Sequence, residues 1–506
     1  MVLFEYFLKT CDENPNKVAI WCDGEEKTYS QLKTLVCKYS NYLVARGVKK
    51  GDIIGIPMNN SVESVALMLA VSAIGAGIAP INPTIHVTDI KLAFKAANVK
   101  HLIARKAFYQ EIKDTELDSL SGCKLCLDGH IDGADDWEAV NNMPDSEPDC
   151  SRITGEETFI LTMTSGSTGV PKPIQLTQNN KLQRIHAHVN LYKITPDDRI
   201  LAATPLYHSL AERLVLIPLM IGATSILLPR FSPAIWIECV AAQKVTFTIA
   251  VSAQLNQIVL CLSSLNCQED ISSLRALVSS SALLEQHVRD ELIKKLHCDF
   301  HEMYGTSECS TVTNINFKES FYKIQSVGRP LPGVEVCILD DDGNEKPINE
   351  VGEIGVKTPL MCAGYYGLPE LTDKATVNGF FKTGDLGKKD NDGYLYFMGR
   401  KKEIIITGGI NVYPQDIERK LITLPAIKEC AAFPYVDERL GEVVALAIVF
   451  NEGMELTKKD IRVYCARNMA DFQQPHKIFF LDDLPKNSMG KLTKMKLPEV
   501  VAGMEG

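Results

Sequence analysis

The sequence predicts an α/β fold: a large N-terminal domain of layered α/β subdomains with a β section, followed by a small C-terminal α/β domain. Three observations carry this. Short β-rich runs alternate with helical periodicity through the first 300 residues, which argues for largely parallel sheets covered by helices. A turn-rich run of strands then follows. After Gly399-Arg400-Lys401-Lys402 the alternation restarts. With 506 residues the chain exceeds what one compact core holds, so the reading places two domains, 1–399 and 400–506.

The elements follow in order. Ile53–Pro57 reads as a strand and Val62–Ala73 as a helix. The apolar stretch from Val65 to Ile81 contains Gly75, Gly77 and Pro80, so it reads as a buried helix, a glycine turn and a short strand rather than a membrane span. Thr158–Thr162 is a strand. Ile200–Ala203 and Ser225–Leu228 are strands, each followed by a helix, Ser209–Ile221 and Ala234–Gln243. Val334–Leu339, the turn Asp340-Asp341-Asp342-Gly343, and Gly352–Lys357 form an antiparallel section. Asp390-Asn391-Asp392-Gly393 is a turn feeding the strand Tyr394–Phe397. In the C-terminal part Ile404–Ile406, Ile427–Phe433 and Val443–Phe450 are strands. Pro414–Leu421 is a helix with Pro at its first turn, and Leu456–Asn468 is a helix with Thr457 as N-cap.

Bulk composition narrows the function. Hydrophobic residues make up 45% and charged residues 23%, as in ordinary globular proteins. A formal charge of −10 argues against nucleic acid or an anionic membrane as main partner. Fifteen scattered cysteines read as reduced thiols in a cytoplasmic protein. Cys123 and Cys126 form one CxxC without a second ligand pair, so no metal centre is expected there. Neither end of the chain reads as a signal peptide, a lipid anchor or a peroxisomal address.

The run from Thr162 to Pro173, TMTSGSTGVPKP, concentrates small and hydroxyl side chains after a strand. Successive backbone N–H groups in such a turn can form an anion nest. Ser165, Ser167 and Thr168 add hydroxyl donors and Lys172 a positive charge. The composition suits polyphosphate, although GxxxxGK[ST] is absent; a plain surface turn is the alternative.

This loop resembles the phosphate-binding signature of the adenylate-forming superfamily, which includes acyl-CoA synthetases, peptide-synthetase adenylation domains and beetle luciferases. Further signatures stand in family order: Thr28-Tyr29-Ser30-Gln31-Leu32, Gly51-Asp52, Pro205-Leu206-Tyr207-His208, Tyr304-Gly305-Thr306-Ser307-Glu308 and Thr383-Gly384-Asp385. After them come Gly399-Arg400-Lys401-Lys402, Gly408-Gly409-Ile410-Asn411-Val412-Tyr413-Pro414 and Pro485-Lys486-Asn487-Ser488-Met489-Gly490-Lys491. The chain looks most like carboxylate–CoA ligases.

The resemblance implies two half-reactions: a carboxylic acid attacks the α-phosphate of ATP, and coenzyme A then displaces AMP. It implies that Thr164, Ser165, Gly166, Ser167, Thr168, Gly169 and Lys172 hold the β- and γ-phosphates. Thr306 would donate to the α-phosphate and Glu308 would hold Mg²⁺. Glu302, Met303, Tyr304 and Gly305, with Ser280, Ser281 and Ala282, would line the adenine slot. Asp385 and Arg400 would take the ribose. Lys491 would bridge the acid carboxylate and the α-phosphate, and His208 would sit where the acyl group meets the second substrate's tunnel. The small domain would be mobile, pivoting at Lys402 to present Gly408 and Gly409 to coenzyme A. Besides coenzyme A, a carrier protein or an amine is a possible acceptor. A nucleotide-binding protein that has lost turnover, and a luciferase, are the remaining alternatives.

Two departures stand out. Pro173 replaces the glycine that usually ends the loop. Ser279-Ser280-Ser281-Ala282 replaces a usual Gly-Gly-Ala, which would narrow the pocket or make it more polar. Glu212 and Arg213, in the helix after His208, read as an ordinary charge pair.

Overall fold

The structure is a computed structural model. It describes residues 1–164, 171–263, 270–282, 284–407, 410–437, 441–486 and 492–504, with the side chain of Ser119 left aside. The loop residues Ser165, Gly166, Ser167, Thr168 and Gly169, the pair Gly408 and Gly409, and Lys491 lie outside the described residues. Two compact units are formed, one of residues 1–312, 316–321 and 358–375, the other of 313–315, 322–357 and 376–506.

In the first unit, one sheet runs in the order Gly364–Tyr365, Lys172–Thr177, Thr158–Thr164, Gly77–Ile81, Ile53–Pro57, His101–Ala104 and Lys124–Cys126. The last five strands are parallel; the first two add antiparallel pairs. The second sheet places Asp299–Thr306, Ala276–Ser280, Phe247–Val251, Arg199–Ala202, Thr224–Leu227 and Val18–Cys22 side by side, all parallel. Parallel strands buried on both faces read as continuous apolar runs rather than alternating ones, and Phe247–Val251 is buried at all five positions. The stretch Val65–Ile81 resolves as expected into a buried helix, Val62–Ala73, and a buried strand, Gly77–Ile81. No helix among the described residues is long and apolar enough to cross a membrane.

Two of the N-terminal signatures have local structural work. Thr28 caps the Tyr29–Ala45 helix, accepting from the Gln31 amide while the Gln31 side chain accepts from the Thr28 amide. Asp52 accepts from the Lys49 amide and pairs with Lys100 and His101.

The second unit contains an antiparallel section, with Glu335–Leu339, Gly352–Lys357, Phe380–Lys389, Thr376–Val377 and Leu395–Arg400. A further sheet joins Ile410–Val412, Ile405–Thr407, Gly441–Phe450, Ile427–Asp437 and Lys477–Phe480. One face packs on the helices Pro414–Leu421 and Lys458–Asn468 through Ile417, Leu421, Ile461 and Cys465. The other face carries Phe433, Phe479, Leu484 and Leu497. Thr457 caps its helix as read from the sequence.

Candidate active site

In open parallel sheets, ligands bind outside the carboxyl ends of the strands. That is where the first unit places the singled-out residues. His208 follows Arg199–Ala202, Ser281 follows Ala276–Ser280, and Thr306 ends Asp299–Thr306. Thr164 ends Thr158–Thr164, where it pairs with Lys172 and donates to the Lys172 carbonyl at 3.1 Å.

Beyond Thr306 the chain turns back into Ser310–Asn316. The turn is tight: a side chain on Gly305 would run into the Ser310 carbonyl. Ser310 itself stands at φ 63°, a left-handed conformation that an L-residue adopts at a cost. Thr306 Oγ1 accepts from the Cys309 amide at 3.1 Å.

The turn is fixed from two sides. From the Gln178–Leu191 helix, the buried Arg184 donates to the carbonyls of Ser307 (3.1 Å), Glu308 (2.7 Å) and Leu360 (3.0 Å). Burial, with Arg213 nearby, pushes its pKa down to about 10, so it remains a cation at neutral pH. From the other side comes the segment Cys362–Tyr366. Its Cys362 amide donates to the Glu308 carbonyl at 2.8 Å, and Tyr365 Oη donates to Glu308 Oε1 at 2.9 Å. Its Tyr366 amide donates to the Pro173 carbonyl at 2.9 Å. One short segment therefore joins the Thr306–Glu308 turn to the base of the 164–172 loop.

Pro173 is accommodated in this arrangement. The amide and carbonyl of one strand residue point to the same side of an antiparallel pair. Its carbonyl faces Tyr366, so the missing N–H lies on that side and not against Met163, its partner in the hairpin.

His208 caps the Ser209–Ile221 helix without a side-chain cap bond. Its Nε2 is buried and has no hydrogen-bond partner, and burial pushes its pKa down to about 4. The imidazole is neutral at pH 7. Ser281 stands at φ 78°. The Ala282 carbonyl accepts from Ser252 Oγ at 2.5 Å. Glu302 is 2% exposed and its carboxylate is bound by Arg289 at 2.9 Å. Its side chain is thus committed to an ion pair, leaving its backbone to any slot, while Tyr304 is buried and Met303 partly accessible.

The ordinary charge pair expected of Glu212 and Arg213 is not what forms. Both belong to a buried network with the Gln178–Leu191 helix. Glu212 pairs with Lys181. Arg213 Nη1 lies 2.9 Å from His188 Nε2 and 3.3 Å from Thr311 Oγ1. Sequence reading missed Lys181, Arg184 and His188, whose i, i+3, i+7 spacing was the available signal, and it missed Tyr365.

The second unit holds Asp385 and Arg400 in register on paired strands, with Arg400 Nε 3.5 Å from Asp385 Oδ1. Lys402 is exposed in the turn Lys401–Glu403. Thr407 pairs with Ile410 on neighbouring strands and Lys486 with Leu492 in an isolated bridge, so paired described residues flank 408–409 and 487–491.

Comparison with known proteins decides the family. The AMP-binding enzyme family matches residues 7–366, and the AMP-binding enzyme C-terminal domain matches residues 416–491. The chain belongs to the AMP-binding enzyme family. An indoleacetate–CoA ligase of Aromatoleum aromaticum is 30% identical to this AMP-binding enzyme, over 99% of this chain and 98% of the relative. Among solved structures, ATP-bound MatB from Rhodopseudomonas palustris superposes with a TM-score of 0.88 at 27% identity, covering 100% of both chains. The amide bond synthetase McbA from Marinactinospora thermotolerans gives 0.87 at 26% identity, over 99% of this chain and 100% of its own. The o-succinylbenzoate CoA synthetase MenE of Bacillus subtilis, in complex with its acyl-adenylate intermediate, gives 0.85 at 26% identity over 97% of each chain.

Proposed function

We propose that this AMP-binding enzyme is an AMP-forming acid–CoA ligase. A carboxylate oxygen of the acid attacks the α-phosphorus of ATP, the bond to the β-phosphate oxygen breaks, and acyl-AMP and pyrophosphate form. The coenzyme A thiolate then attacks the acyl carbon and AMP leaves. The observation that carries this reading is the junction made by Cys362–Tyr366. It ties Pro173, at the base of the phosphate-suited loop, to the Thr306–Glu308 turn, which supports a phosphate site shared by the two segments.

Each residue then has a task that asks little beyond positioning and charge. The 164–172 loop binds the β- and γ-phosphates, with Ser165, Gly166, Ser167, Thr168 and Gly169 offering amides and hydroxyls and Lys172 its charge. Thr306 donates to the α-phosphate. Tyr304 and Ser281 border the adenine, Asp385 and Arg400 take the ribose, and Lys491 spans acid and α-phosphate. His208, neutral and with an unpaired buried Nε2, contacts the acyl end.

Glu308 fits Mg²⁺. It is a hard oxygen donor held by Tyr365 through one oxygen, and its other oxygen accepts nothing among the described residues. No cluster of three ligating side chains surrounds it among the described residues, as suits an ion whose remaining ligands are phosphate oxygens and water. Bound there, Mg²⁺ would neutralise phosphate charge.

Arg400 marks the start of the second domain in this reading, with 1–399 binding the nucleotide and 400–506 carrying Lys491, Gly408 and Gly409. The described cysteines are all free thiols, which supports a cytoplasmic setting. A second reading, transfer to an amine or a carrier protein, is favoured by the similarity to the amide bond synthetase. The test is product analysis with ATP, Mg²⁺ and an acid panel, adding coenzyme A or amines in turn. AMP and an acyl-CoA thioester are expected. AMP and an amide, with no thioester, would replace the first reading by the second.

A further inference from the structure

We propose that Glu353 is a positioning residue for the ribose: its one carboxylate fixes both Asp385 and Arg400, the pair assigned above to the ribose hydroxyls. The proposal rests on that assignment within the ligase reading and deepens it. It starts from an interruption in the antiparallel section.

Glu353 lies on Gly352–Lys357, which pairs with Phe380–Lys389. Glu353 faces Leu386 and Gly355 faces Lys382, so the single residue Ile354 faces three, Thr383, Gly384 and Asp385. The extra residues make the strand bulge, and bulges re-aim side chains beside active sites. Here the side chain re-aimed is that of Asp385. Part of the bulge is shaped from within. Thr383 Oγ1 donates to the Ile354 carbonyl at 2.9 Å and accepts from the Asp385 amide at 3.2 Å. Between them Gly384 stands at φ 73°, a conformation that glycine adopts freely but has no side chain to hold. Its amide is held from outside, by donating to Glu353 Oε1 at 3.1 Å.

The second oxygen of the same carboxylate reaches the other arm. Glu353 Oε2 accepts from Lys401 Nζ at 3.0 Å. Lys401 directly follows Arg400, and Arg400 is the register partner of Asp385. Glu353 therefore holds Asp385 through the residue before it and Arg400 through the residue after it. Both bonds involve an ionised group, which makes them stronger than neutral ones. Lys401 also meets Asp341 at 2.9 Å, but that side chain is 93% exposed, and such a pair contributes little. Glu353 is 9% exposed, so its own pair is screened less. A carboxylate this buried needs partners for its oxygens, and the two it has flank the ribose pair. Removing it leaves Gly384 free to turn and Lys401 with an exposed partner only, so Asp385 and Arg400 lose their common reference together.

The test is calorimetric binding of AMP, 2′-deoxyAMP and 3′-deoxyAMP, which needs no acid. Wild-type enzyme is expected to bind AMP at least about tenfold more tightly than one of the deoxy analogues, as a hydrogen bond to a charged group provides. Glu353→Ala should weaken AMP by about tenfold and the disfavoured analogue by less than about threefold, so that the preference is largely lost. Glu353→Gln still accepts from Gly384 but offers Lys401 no charge, and should keep part of the preference. Lys401→Met removes the second bond at an exposed residue and should also lose part of it. A merely structural role would lower the denaturation midpoint of Glu353→Ala and weaken the three nucleotides equally. That equal weakening overturns the proposal. If Glu353→Ala does not fold, an unchanged preference in both Glu353→Gln and Lys401→Met overturns it instead. A wild type without any preference removes the ribose assignment, and this proposal with it, while the ligase reading keeps its own product test. An enzyme that binds no AMP contradicts the ligase reading itself.

Discussion

Ser281 stands at φ 78°, where a glycine would carry no Cβ penalty. The family's usual glycine at this point in the sequence is thereby explained, and so is the cost of departing from it. Ser281→Gly is expected to stabilise the protein by about 1 kcal/mol, seen as a higher denaturation midpoint. Loss of stability would mean that the hydroxyl contributes more than the backbone relief. His208 and His188 make a second prediction at this scale. Burial pushes His208 down to about 4, and burial together with Arg213 holds His188 well below the ordinary value of about 6.5. The unfolded chain therefore takes up protons first on acidification. The contribution of these neutral imidazoles is complete above about pH 6.5 and is lost as pH falls toward 4. Denaturant melts between pH 7.5 and 4.5 should show falling stability, with a shallower slope in His188→Gln.

At the scale of elements, the helices and strands that carry the site were largely legible. The Ser209–Ile221 and Pro414–Leu421 helices appear with the bounds their periodicity indicated. Most strand ends moved by a residue or two, but Ile427–Phe433 runs on to Asp437 and Tyr394–Phe397 to Arg400, since pairing rather than propensity fixes them. The ties between elements were not legible. Arg184 meets the Glu308 carbonyl across 124 positions, and Tyr365 meets its carboxylate across 57. Glu212 reads as half of an ordinary charge pair with Arg213, and Lys181 was missed, whereas 4% exposure for Lys181 and 0% for Glu212 makes them core. A buried pair is revealed by breaking one side of it. Lys181→Met should destabilise the first unit by about 3–5 kcal/mol, because Glu212 is left buried and charged. Adding Glu212→Gln should recover much of that loss. Additive losses in the double variant would show that the two side chains do not interact.

At the scale of the whole molecule, the two half-reactions need different arrivals at one site, and the sequence supplies one residue for each. In the proposed reading Lys491 serves adenylation and Lys402 the change between steps. Lys402 is exposed, so a substitution there acts on the backbone and not on packing. Lys402→Pro, by fixing φ, should slow thioester formation from acyl-AMP while sparing adenylation. Lys491→Ala should do the reverse, with adenylation falling by at least about 100-fold. Rapid-quench assays of each half-reaction check both, and equal loss of the two steps in Lys402→Pro would remove its role as a pivot.

Adenylation is measured most directly by acid-dependent exchange of labelled pyrophosphate into ATP with Mg²⁺, across aliphatic, aromatic and dicarboxylic acids and without coenzyme A. Exchange should require the acid and fall steeply in Glu308→Gln. Exchange that ignores the acid, or ATP binding with no exchange for any acid, would contradict adenylation.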